Sequence, residues 1–218
     1  MKPRYVLRSA SLAAFAALAA CSGGNDEAAN RESVLLSSAP AAGSSAFLVS
    51  GDPAGSFGEA FIGSDGNGIM LIENDDLRPA AAYYEVTGNA ARRVPAADAA
   101  LQTSLVAGSA TPVNVKPITL AELAGSYAAI NRDNAVTNFT LSAEGVISAG
   151  ASSCRVNGNI RSASTIAGAL PLIITLSGCG ADDGDYRGYA VKAGEYAPAA
   201  LRMVGVNRAS FIDMLAFR

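Results

Sequence analysis

Cys21, Cys154 and Cys179 are the side chains of this 218-residue chain best suited to covalent chemistry. Their spacing holds no C-x-x-C redox pair and no metal-type cysteine cluster. Histidine is absent, which removes the usual general base and the commonest transition-metal ligand. There is no G-x-S-x-G elbow, and no S-x-x-K precedes Lys116 or Lys192. A carboxylate pair for glycoside cleavage stays open because its spacing is spatial, yet no particular acids stand out. The expectation is therefore a non-enzyme with no catalytic residue, no metal and no cofactor.

Two acidic stretches invite a cation reading. In "GCGADDGDYRG", Asp182, Asp183 and Asp185 fall within four residues, enough to hold a hard cation or to face a basic partner; the plainer alternative is a solvated loop. In "GSDGNGIMLIEN", setting Gly68 at the invariant glycine of a calcium loop places Gly63 and Asn74 where an acid and a bidentate Glu are needed. The match fails at both ends, and Asp65-Gly66-Asn67-Gly68 reads instead as a hairpin turn.

The elements that position these residues begin with an export signal. "MKPRYVLRSASLAAFAALAAC" has Lys2, Arg4 and Arg8 ahead of an apolar run from Ala10 to Ala20, about half the length a membrane-spanning helix needs. Leu18-Ala19-Ala20-Cys21 resembles the lipobox of bacterial lipoproteins. That resemblance implies removal of residues 1–20, diacylglycerol on the Cys21 sulfur and an acylated (palmitate-type) amine, enough chains for firm membrane anchoring. An ordinary secretory signal is the alternative. Ser22 stands where inner-membrane lipoproteins of enteric type carry Asp, which points to the outer membrane. With Cys21 occupied, Cys154 and Cys179 form an even pair, and in an exported protein such a pair reads as a disulfide.

Removing a signal that holds three of the 16 basic residues leaves 13 against 19 acidic ones, a net charge of −6. That balance disfavours nucleic acid and anionic lipid surfaces as partners. Residues 21–33 carry the lipidated cysteine and a polar tether, "SGGNDEAANRES", spanning roughly 20 Å as a coil and about 40 Å taut.

Residues 34–107 alternate short apolar runs with Gly, Pro and Asp, predicting a small β-rich lobe of four to six strands. "PAADAALQTSLVAG" from Pro95 is its one candidate helix. In the pairs Tyr83-Tyr84 and Arg92-Arg93, alternation along a strand puts one member inside and one outside, where it could meet a partner. Residues 108–117 read as a linker. Thr119 and Glu122 have capping-box spacing, and eight apolar segments follow from "SYAAI" to "FIDMLAF", predicting an up-and-down antiparallel barrel over 118–218. Phe139, Leu141, Ile174, Leu176, Leu201 and Met203 are its expected filling.

"LAGSYAAINRDNAVTNFTLSAEGVISAG" resembles the opening of a calycin-type barrel, the avidin and lipocalin group. Gly125-x-Tyr127 stands where those families have Gly-x-Trp, and Arg202, Arg208 or Arg218 would supply the arginine that packs across the ring. Biotin binding does not carry over, because the chain has no tryptophan. The function expected is non-catalytic binding of an envelope protein or polymer, an inhibitor or immunity role included. The alternatives are a carrier of a small apolar ligand in the barrel and a histidine-independent envelope hydrolase.

Overall fold

The computed structural model describes residues 33–36, 38–73, 79–97, 101–113, 115–131, 134–192 and 194–218. Residues 1–20 and Cys21 lie outside them. The first lobe contains β1 (Ser33–Leu35), β2 (Gly43–Ser50), β3 (Phe57–Ile62), β4 (Asn67–Glu73), β5 (Ala82–Thr87), β6 (Ala90–Val94), β7 (Ser104–Leu105) and β8 (Thr111–Pro112). They form one curled antiparallel sheet in the order β1-β6-β5-β4-β3-β2-β7, with β8 also on β2. After α1 (Leu120–Leu123) come β9 (Gly125–Ile130), β10 (Val136–Leu141), β11 (Val146–Ala149), β12 (Arg155–Ile160), β13 (Ala169–Ser177), β14 (Gly184–Val191), β15 (Leu201–Val206) and β16 (Phe211–Phe217). These eight close into an up-and-down barrel, with β16 pairing back onto β9.

Alternation explains the barrel. In β10 and β13 every second residue is buried, and those inward residues pack together. Phe139, Leu141, Ile174, Leu176, Leu201 and Met203 all lie in that core, each at most 3% exposed. One end is closed by α1. Thr119 caps it in a complete capping box with Glu122, and Leu123 points into the core. Tyr127 stacks on Phe139 at 5.2 Å, donates to the Leu123 carbonyl (2.6 Å) and lies under the guanidinium of Arg218, whose Nε donates to the phenol oxygen at 3.0 Å. Arg218 is thus the arginine across the ring at the Gly125-x-Tyr127 element.

Cys154 and Cys179 are joined, tying the entry to β12 to the segment after β13 across a 25-residue separation. Replacing both with serine should cost roughly 3 kcal/mol on the chain-entropy model. The check is a fall in the urea midpoint without a change in barrel circular dichroism, matched by reductant on the native protein.

Four expectations need correction. The segment from Pro95 forms no helix among its described residues; Ser104 and Leu105 pair with Ser50 and Val49 of β2. An isolated helix of that length is marginal, and the β2 edge gives its backbone better partners. Residues 108–117 are not a free linker, since β8 extends the sheet and Val113 is buried where the lobes meet. Tyr83 and Tyr84 do point opposite ways, but both are buried, because this sheet is covered on both faces: Tyr83 faces the barrel and Tyr84 the inside of the curl. β1, β7 and β8 raise the strand count to eight, being too short to show a period. At Asp65-Gly66 the chain makes the expected hairpin between β3 and β4, with Gly66 at φ +77° and Asp65 accepting from the Asn67 amide at 3.1 Å.

Candidate functional site

Two polar assemblies lie between the lobes, one buried and one open. The buried assembly centres on Arg202 of β15, which is 0% exposed. Its Nε and Nη2 donate to both oxygens of Asp213 on the neighbouring β16, at 2.8 and 2.7 Å. Its Nη1 crosses to the first lobe, donating to Glu59 of β3 at 2.9 Å and Glu73 of β4 at 2.7 Å. The Tyr196 hydroxyl donates to Glu59 at 2.8 Å, and the Ala80 amide donates to Asp213 at 2.7 Å. Three carboxylates thus surround one guanidinium. Burial, followed by the nearby Glu59 and Asp213 carboxylates, outweighs the attraction of Arg202 and pushes the Glu73 carboxyl up to about 7. Around this polar centre Phe61, Leu71, Val94, Val191, Val204 and Phe211 make an apolar seam joining the lobes.

A second buried pair sits inside the curl of the first sheet. Asp52 accepts from Arg93 through both oxygens, at 2.9 and 3.0 Å, and from the Ala54 amide and the Tyr84 hydroxyl, which also meets Thr103. Burial opposes the charge on Asp52, yet the Arg93 and Tyr84 hydrogen bonds hold its carboxyl below the usual range. Burial and the Asp52 bond push Tyr84 well above its ordinary value. Asp52 and Arg93 are largely satisfied by each other and serve packing.

The open assembly is a groove of about 670 Å³ where the curled sheet diverges from the barrel. Strand alternation builds one wall: Tyr83 and Glu85 of β5 share the face turned to the barrel, and register sets Glu85 directly opposite Arg92 of β6. The two form an ion pair at 2.6 Å, and Arg92 also donates to the Asn207 carbonyl at 3.2 Å, bridging the lobes. The other wall comes from β13 and β14, where Arg187 pairs across from Ile173. Ile173 is 42% exposed and, with Val136 and Val146, is one of the large aliphatic side chains that the described part of the barrel turns to solvent. Arg92, Ile173 and Arg187 also line a second cleft that continues past the bridge to Arg208. The turn carrying Arg208 is fixed by Asn207, whose Oδ1 accepts from the Ala209 and Ser210 amides at 2.9 and 2.7 Å. Tyr189 completes the wall. Burial first, then the Asp65 and Glu85 carboxylates, raise its phenol, so it remains a neutral hydrogen-bonding group.

Comparison with protein-family models, curated proteins and solved structures finds no match.

The acidic loop that stood out in the sequence is used by the fold. Asp182 is buried and accepts from Asn131 at 2.9 Å; Asp183 accepts from the Cys179 amide, and Asp185 from the Thr175 hydroxyl, each at 2.6 Å. Among the described residues no group of three His, Cys, Asp or Glu side chains is arranged to hold a metal. Also among them, no helix is long and apolar enough to cross a membrane. The Arg202 assembly and the arginine-lined groove escaped the sequence reading. The signal for the first was four lone charges in apolar strands: Glu59 in "FGEAFI", Glu73 in "NGIMLIE", Arg202 in "LRMVGV" and Asp213 in "FIDMLAF".

Proposed function

We propose that this chain is a non-catalytic binding lipoprotein of the bacterial outer membrane, anchored through Cys21, whose inter-lobe groove holds a segment of an envelope protein or polymer. The observation that carries this reading is the groove itself. It has walls from both lobes, an exposed Ile173 and two arginines, Arg92 and Arg187, on a body whose buried charges are paired within the fold. A carrier role inside the barrel is less well supported, because nineteen buried side chains pack together there as one core. A hydrolase is also less well supported, since the buried acids Glu59, Glu73 and Asp213 surround Arg202 rather than a cleft.

The test is photocrosslinking in the native envelope, with the reactive side chain at Ile173 in the groove or at Val146 on β11. A discrete adduct from position 173 and none from 146 is the expected result; the reverse pattern would move the binding face elsewhere. Anchoring is tested separately. Cys21→Ser should abolish palmitate labelling and release the protein from membranes, and a variant that still labels and sediments would refute the lipobox.

A further inference from the structure

Charge is distributed unevenly in the groove. Arg92 is engaged by Glu85 and a carbonyl, but among the described residues the guanidinium groups of Arg187 and Arg208 have no hydrogen-bond or ion-pair partner. Both are on the barrel side: Arg187 lines the groove and the adjoining cleft, and Arg208 lines the cleft, where the one carboxylate in the lining, Asp185, accepts from Thr175. Free guanidinium forks are built to grip carboxylates or phosphates through two parallel bonds.

The form of the ligand follows from what the groove lacks. β13 and β14 are paired on both edges because the barrel is closed, and β6 is covered by β1. A peptide therefore has no long free ladder on which to add as a strand; β1 itself offers three residues. Recognition must come from side chains. Besides the arginines, the groove presents Thr87 and the neutral phenol of Tyr189, which suit hydroxyl groups, while Ile173 supplies an apolar contact.

We infer that the groove binds an anionic glycan, with Arg187 and Arg208 engaging its carboxylate or phosphate groups. This rests on the groove being the binding face, as proposed above, and names what occupies it. Arg92 positions the two walls and is left intact in the test.

The test is calorimetric titration of the full chain in neutral detergent. The probes are oligogalacturonate, a phosphorylated mannan oligosaccharide, neutral maltoheptaose and an oligoglutamate peptide. Binding of either anionic glycan, weakening with salt and by about a hundredfold in Arg187→Ser/Arg208→Ser, is the expected result, each charge-assisted contact being worth about tenfold or more. Maltoheptaose should not bind. The substituted side chains are exposed, so unchanged thermal unfolding of the double variant confirms that binding alone has changed.

Oligoglutamate binding more tightly than both glycans, with the same arginine dependence, would overturn the glycan assignment and put an acidic peptide in its place. Absence of all binding, or glycan binding indifferent to the double substitution, would also overturn it. In those cases a crosslink from position 173 would still leave the groove as the binding face, whereas its absence would remove both.

Discussion

Arg202→Met is expected to lower the stability of the folded chain by about 3–5 kcal/mol, the usual cost of breaking a buried ion pair by removing one partner. Methionine fills much of the volume but leaves Glu59, Glu73 and Asp213 facing one another without a counter-charge. Domains of ordinary stability hold about 5–15 kcal/mol in total, so this is a large fraction. Lysine should recover only part of the loss. Its single ammonium cannot reproduce the two parallel bonds to Asp213 while also reaching Glu59 and Glu73. Neutralising the acids together, as Glu59→Gln, Glu73→Gln and Asp213→Asn in the Arg202→Met background, should restore stability toward the native value, because the penalty comes from uncompensated charge. Urea denaturation of the series measures this. A loss under 1 kcal/mol in Arg202→Met would mean that water reaches the acids.

The second large effect is on pH. The Glu73 carboxyl, about 7 in the folded chain against 4.5 for its ordinary value, holds its proton more tightly when folded. Between those values the native state binds more protons than the unfolded state, so stability falls as pH rises. The contribution is fully present below 4.5, declines through the folded value near 7 and is flat above it. At 1.36 kcal/mol per unit the decline is on the order of 3 kcal/mol. Asp52 has the opposite sign, but it titrates below 3.8, outside this window. Glu73→Gln mimics the protonated acid and still accepts from Arg202 through its amide oxygen. That variant should lose most of the slope between pH 5 and 8 and be the more stable protein at pH 8. Equal slopes in the variant and the native chain would place the proton on another group.

Much of the barrel was legible because its strands obey one rule. Along β10 and β13 the inward positions are mostly apolar and the solvent positions mostly polar, with buried Thr137 and exposed Val136 and Ile173 as exceptions, and the capping box marks where α1 turns the chain into the barrel. β15 and β16 break that rule, being buried on nearly every side chain of both faces. In an antiparallel sheet such a run signals a second layer on the outer face. Here that layer is the first lobe, packed on Val204, Val206 and Phe211. The candidate site depends on this contact. Arg187 and Arg208 are brought side by side by the pairing of β14 with β15, and Arg92 joins them only because the first sheet docks on the barrel, so no spacing along the chain could announce the three. Asp182, Asp183 and Asp185 show the converse, since a cluster along the chain separates once each carboxylate finds its own partner.

The groove exists only while the two lobes behave as one body, and native-state hydrogen exchange tests that directly. Buried amides of β4 in the first lobe and β15 in the barrel are predicted to exchange through one shared opening, whose free energy falls by the same amount for both in Arg202→Met. If β4 instead exchanged through an opening several kcal/mol cheaper than that of β15, unaffected by the substitution, the lobes would be independent and the groove would not be a built site.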